Sequence, residues 1–146
     1  WLGLCGPTGK ESGKVTEEFG LHPLPVEDAL KAHQRPKLGV YDDSLFMVLK
    51  PVGYEPKSDI VSSGEVMVFL GDGFVVSVRH GEGAPLAAVR QRLEQEPELL
   101  AKGPTAGGYA IAHATLGHSL GVADEPPTGP GGAWTWGGWG GRCRGG

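Results

Sequence analysis

The amino-acid sequence predicts an α/β fold: an α/β/α sandwich with a mixed, largely antiparallel sheet covered by helices on both faces. Two observations carry that expectation. The first is a set of strand-like runs, Leu45 to Leu49, Glu65 to Leu70 and Phe74 to Arg79, that are apolar at nearly every position. A strand apolar on both sides belongs inside a sheet with two covered faces. The second is order along the chain, with helical patterns before and after these runs, which layers helices around one sheet.

Trp1 to Leu4 reads as a short opening strand. Gly6 to Gly13 is turn-rich and contains Gly9-Lys10. A phosphate loop needs four residues between its glycines and Ser or Thr after the lysine, and Glu11 follows here, so a plain surface loop is expected. Val15 to Phe19 ends a helix with Gly20 as the residue just past it. Gly13 costs about 1 kcal/mol relative to Ala, so that helix is expected to be short or frayed. Pro25 suits a first helical position. Glu27 and Asp28 then fall in the first turn, where carboxylates meet the positive end of the helix dipole.

Pro36 keeps Arg35 out of a helix, and a strand pattern starts at Leu38. Pro51 to Lys57 reads as a polar connection and Ser62-Ser63-Gly64 as a turn. Glu65 to Leu70 and Phe74 to Arg79 flank Gly71-Asp72-Gly73, a β-hairpin with a three-residue loop. From Pro85 to Gln95, Leu86, Val89 and Leu93 fall at helical spacing, and Pro97 closes that helix. Glu98 to Lys102 makes a short turn. Pro104 to about Leu116 is the last helix, loosened by Gly107-Gly108.

The chain has 146 residues, enough for one domain, and its net charge of −4 argues against a general nucleic-acid surface. Cys5 and Cys143 are far apart, with neither metal-knuckle nor redox-pair spacing, which makes a reducing cytosol the simplest setting. Apolar runs are far shorter than the roughly 20 residues needed to cross a bilayer. A start at Trp1 suggests that the true N-terminus is missing. From Gly117 the composition shifts: residues 117–146 hold 11 of the 26 glycines and three of the four tryptophans, Trp134, Trp136 and Trp139. With no periodicity, this tail is expected to be disordered. A shifted reading frame would account for it. The expected division is a folded domain at 1–116 and a tail at 117–146.

Phe19-Gly20-Leu21-His22-Pro23-Leu24, Glu27-Asp28, His33-Gln34-Arg35-Pro36-Lys37, Tyr41-Asp42-Asp43 and Leu45-Phe46 through Lys50 closely resemble the CorA family. These are magnesium and cobalt channels or transporters, and the resemblance is to their N-terminal cytoplasmic domain, over residues 1 to about 113. It implies regulatory sites that hold divalent cations between neighbouring subunits of a homopentamer, with Glu27 and Asp28 at matching acidic positions. Mg²⁺ fits such a pair, because it takes oxygen ligands, keeps several waters and needs only one or two carboxylates. The family's acidic stalk helix, its two membrane helices and its Gly-Met-Asn pore motif have no counterpart here, so isolated affinity should be poor.

The implied parent sits with this domain at the cytoplasmic face of the membrane and admits Mg²⁺, with Co²⁺ or Ni²⁺ as looser substrates. Cytosolic Mg²⁺ bridging subunits would hold the pore closed, and its loss would shift the population of states. The chain as written would be soluble and cytoplasmic. A stand-alone cation-sensing or protein-interaction module, and the domain of a zinc-transporting relative, are the alternatives.

Other candidates favour plain structural roles. Asp42-Asp43 reads as a solvated turn, and Arg35 and Lys37 as residues that make structural ion pairs or hold a turn rather than bind an anion. His22, His33, His80, His113 and His118 make no metal-like spacing. No catalytic constellation can be read from the residue order, so an enzyme is not indicated.

Overall fold

The computed structural model describes residues 1–55, 60–81 and 86–123. Strand β1 (Leu2–Cys5) is followed by helices α1 (Gly9–Phe19) and α2 (Pro23–Lys31), then strands β2 (Lys37–Tyr41) and β3 (Ser44–Leu49). Strands β4 (Val52–Glu55) and β5 (Ile60–Ser63) pair only with each other. The hairpin β6 (Glu65–Gly71) and β7 (Phe74–His80) precedes helices α3 (Leu86–Gln95), α4 (Pro97–Leu100) and α5 (Pro104–Ala123).

The main sheet has five strands in the order β1-β7-β6-β3-β2, with β1 parallel to β7 and the other neighbours antiparallel. Alternation sorts its apolar side chains onto two faces. Phe46, Val48, Met67, Phe69, Val76 and Val78 point to one side, where Leu21 and Ala29 are buried with them and Val15, Phe19 and Val26 pack against the cluster. Val66, Val68 and Val75 point to the other and are buried with Ile111 of α5, while Leu86 of α3 packs alongside. Helices thus cover both faces. This is the mixed sandwich that the two-sided apolar strands predict.

Several elements differ from expectation. Helix α1 spans eleven residues rather than a frayed turn, because Thr8 and Glu11 form a reciprocal capping box. Gly20 takes the left-handed conformation at its end, with φ 61°. Helix α2 starts at Pro23, so Pro25 is not its first residue, and no acidic residue lies in its first turn. Within the connection expected from Pro51 to Lys57, Val52–Glu55 forms strand β4, which pairs with β5, while residues 56 and 57 lie outside the described residues. Gly71 pairs with Phe74, so the β6–β7 loop has two residues, Asp72 and Gly73, rather than three. Where the sequence predicts a turn from Glu98 to Lys102, the one-turn helix α4 occupies the start of that stretch.

Gly107-Gly108 does not loosen α5. The pair lets the helix approach the sheet: a Cβ on Gly108 would lie 2.5 Å from a Leu70 methyl, and one on Gly107 3.1 Å from a Val75 methyl. The same helix runs past residue 116 to Ala123. The expected Gly/Trp-rich tail beyond it lies outside the described residues, as does Pro85. Among the described residues no helix is long and apolar enough to cross a membrane.

Candidate functional site

Helix α2 carries the two carboxylates singled out by sequence. Its start is fixed by His22, whose Nδ1 accepts a hydrogen bond from the Leu24 amide at 3.2 Å. Proline at its first position loses no intrahelical donor. Glu27 and Asp28 are its fifth and sixth residues, so they sit mid-helix and the dipole rationale does not apply to them. Neighbours on a helix diverge by about 100°, and the two carboxylates accordingly meet different surroundings.

Glu27 points to solvent and pairs through Oε1 with Lys31 one turn on, at 2.5 Å. Its hydrogen bond to Glu27, reinforced by the opposite charge, raises the Lys31 pKa. Asp28 is turned toward the sheet, where its Oδ2 accepts from Lys37 Nζ of β2 at 2.5 Å. The same ammonium lies 5.6 Å from the centroid of the buried Phe46 ring. Lys37 is therefore a positioning partner for Asp28, as a structural role for that residue predicts. In each carboxylate one oxygen engages a lysine, and the second oxygen has no side-chain or backbone partner among the described residues.

The far end of α2 is fastened by residues that sequence reasoning missed. Ala32 and His33 both have positive φ, 49° and 61°, a conformation that L-residues adopt only when surroundings impose it. The imposing group is Glu65. Its fully buried carboxylate accepts from the His33 amide through Oε2 and the Gln34 amide through Oε1, both at 2.6 Å. Lys50 Nζ lies 3.3 Å from the same carboxylate and balances its charge. His80 adds a 2.7 Å bond between Nε2 and the Ala29 carbonyl. One signal for Glu65 was present in the sequence: it is the charged residue that opens the otherwise apolar run Val66 to Leu70.

The remaining candidates are dispersed. Asp42 and Asp43 form the exposed two-residue turn between β2 and β3. His22 caps α2 and stacks on Tyr41, with ring centroids 5.5 Å apart, and His113 stacks on Tyr109 at 5.8 Å. Gly9 and Lys10 open α1 rather than a phosphate loop. Cys143 lies outside the described residues, and with it the expectation of two separate thiols. Among the described residues no three His, Cys, Asp or Glu side chains gather around a common point. The chemistry on offer is two carboxylates on an anchored helix, Glu27 facing solvent and Asp28 facing the sheet.

A mixed sheet with helices on both faces is the fold class found in the soluble domains of ion-transport proteins. Residues 1–107 match the family model described as CorA-like Mg2+ transporter protein, and the chain belongs to that family. It is 36% identical over 111 residues to the putative metal ion transporter YfjQ of Bacillus subtilis strain 168, covering 76% of this chain and 34% of that protein. It is 33% identical over 89 residues to the cobalt/magnesium transport protein CorA of Thermotoga maritima, covering 61% of this chain and 25% of that protein. The soluble domain of CorA from Methanocaldococcus jannaschii shares the fold, with a TM-score of 0.55 and 11% identity over 84% of this chain and 50% of that one. The chain therefore spans about a third or less of the curated relatives it matches.

Proposed function

We propose that this chain is the cytoplasmic divalent-cation-sensing domain of a CorA-like magnesium or cobalt transporter, with Glu27 and Asp28 as its contribution to a regulatory Mg²⁺ site. The observation that carries the reading is the state of the two carboxylates. Each uses one oxygen on a single lysine and keeps the other unengaged among the described residues. Mg²⁺ retains most of its waters and is satisfied by one or two protein carboxylates. The exposed Glu27–Lys31 pair contributes only about 0.3–1 kcal/mol, so a dication can displace it at small cost. The rest of the ligand set would come from a neighbouring subunit of a homopentamer, with the domain at the cytoplasmic face of the membrane. Mg²⁺ held there would favour the closed pore, and Co²⁺ or Ni²⁺ would be looser substrates of the parent.

Calorimetric titration of the chain with Mg²⁺ tests this. Weak, saturable binding is expected, abolished in Asp28→Asn and reduced in Glu27→Gln, with the far-ultraviolet circular dichroism of both variants unchanged. Identical Mg²⁺ isotherms for the parent chain and both variants would refute the site.

A further inference from the structure

A cleft of about 260 Å³ lies between the β1–β7 strand pair and helix α3, and none of its lining belongs to α2. We propose that this cleft binds a small organic anion, with the oxyanion group held by Arg79 and Arg90. The floor follows from the sheet register. Strands β1 and β7 run parallel, with Gly3 beside Ser77 and Cys5 beside Arg79. Ser77 and Arg79 lie two and four residues beyond Val75, so they share its face of the sheet, the one covered by α3 and α5. Gly3 leaves the floor open, since a Cβ there would meet only Ser77 Oγ, at 3.6 Å. Trp1 is fixed beside that opening by its indole Nε1–H, which donates to Ser77 Oγ at 2.9 Å.

The charge of the lining has one sign. Arg79 and Arg90 are its charged side chains, and it contains no carboxylate. Arg79 is half-buried on a strand position that faces α3, where an arginine is ordinarily paired. Among the described residues it forms no ion pair, and its guanidinium donates to the Cys5 sulfur at 3.7 Å. Sulfur is a weak acceptor, so most of the five guanidinium donors stay available. Arg90 gives Nε to Glu94 one helical turn on, at 2.9 Å, and its terminal NH2 groups make no hydrogen bond among the described residues. Guanidinium forks match the oxygens of phosphate and carboxylate, and here two of them come from separate elements to one cleft.

Size and the remaining lining point to an organic anion rather than a bare ion. A water occupies about 30 Å³ of liquid, so the cleft has room for a substituent beside the oxyanion. The Trp1 ring and Leu86 offer that substituent apolar surface. Apolar walls with a few placed polar groups are the usual make-up of a small-molecule site.

Nitrogen-15 NMR titration of the full chain at constant ionic strength tests the site with inorganic phosphate, phenyl phosphate and citrate, with chloride as the reference anion. Saturable shifts of the Ser77 amide and the Trp1 indole are expected, with at least one organic anion binding severalfold tighter than inorganic phosphate. Preference for phenyl phosphate assigns a phosphate ester, and preference for citrate a carboxylate. Arg79→Gln and Arg90→Gln should each weaken binding roughly tenfold or more. Gly3→Val fills the floor and should block the organic anions while both arginines remain. Glu94→Gln removes the charge that competes for Arg90, at an exposed position where folding is not at stake, and should tighten binding severalfold. Amide dispersion confirms that each variant is folded. Shifts reproduced by chloride, arginine or Gly3→Val variants that bind like the parent, weaker binding in Glu94→Gln, or no organic anion tighter than inorganic phosphate would each overturn the proposal.

Discussion

Glu65→Ala should be among the most destabilising single substitutions in the domain, although the residue touches no ligand. The carboxylate is fully buried and accepts two backbone amides at 2.6 Å, with Lys50 at 3.3 Å as counter-charge. Truncation strands two amides in the interior and removes the carboxylate that Lys50 faces. Hydrogen bonds to a charged group are worth about 1.5–3 kcal/mol each. Removing one member of a buried pair costs about 3–5 kcal/mol in total. These figures describe the same carboxylate and do not add, so about 4 kcal/mol is expected. The positive φ of Ala32 and His33 also loses its support. For a domain of this size such a loss lowers Tm by about 10–20 °C.

Glu65→Gln separates packing from charge. It preserves the volume and one acceptor oxygen but aims an NH2 group at the other amide, so roughly half the loss is expected, about 2 kcal/mol. Urea unfolding followed by circular dichroism gives both values. Hydrogen exchange adds a local readout, in which the His33 and Gln34 amides lose protection in Glu65→Ala before the sheet amides do. A cost below about 1 kcal/mol for Glu65→Ala would mean that water satisfies the two amides, and the latch reasoning would fail.

Two further outcomes follow from particular contacts. Gly108→Val should cost about 1–3 kcal/mol by chemical denaturation, since its Cβ meets the Leu70 side chain at 2.5 Å and overpacking outweighs any helix-propensity gain. Thr8→Ala should cost about 1 kcal/mol at neutral pH. Hydrogen bonds from Thr8, first from its backbone amide and then from its hydroxyl, hold the Glu11 pKa below its ordinary 4.5. A depressed carboxylate contributes stability above its unfolded value and loses it as pH falls through the folded one. The difference between Thr8→Ala and the parent should therefore shrink in melts taken below pH 4.5, and a constant difference down to the acid transition would contradict the capping box.

The layered fold was legible because its signals are local and repeated. Val66 to Leu70 and Val75 to Val78 are apolar on both faces, and such strands need two helical layers whichever residues supply them. Where the reading failed, a pairwise or tertiary fact decided. Gly13 suggested a frayed α1, but the reciprocal Thr8–Glu11 bonds outweigh its propensity cost. Pro25 resembled a helix start, yet Pro23 two residues earlier takes that place, which moved Glu27 and Asp28 out of the first turn. Gly107-Gly108 looked like a weakness and is instead a contact surface, visible only once Leu70 and Val75 lie beneath it. A structural ion pair for Lys37 is among the sequence's expectations, but that its partner is Asp28, and that Lys31 pairs with Glu27, are not. Lys37 reaches Asp28 across nine residues of chain only because Ala32 and His33 reverse the backbone.

That reversal ties the two halves of the site together. Glu65 holds the end of α2 and His80 holds Ala29, one residue beyond Asp28, both from strands of the central sheet. Asp28 is thus fixed to the sheet while Glu27, on the outer side of the same turn, retains rotamer freedom and 58% side-chain exposure. A cation drawing on both would meet one preorganised oxygen and one that must be ordered, which limits its affinity for a single copy. Preorganisation of the first means that a second protein surface need only supply the remaining ligands. Under the proposed function, a half-site weak alone and stronger when completed would give the differential binding by which a ligand shifts an equilibrium between assemblies. Loosening the latch with Glu65→Gln should therefore weaken Mg²⁺ binding severalfold without touching a ligand. Equal Mg²⁺ affinity in folded Glu65→Gln and parent chains would show that the anchoring of α2 has no part in it.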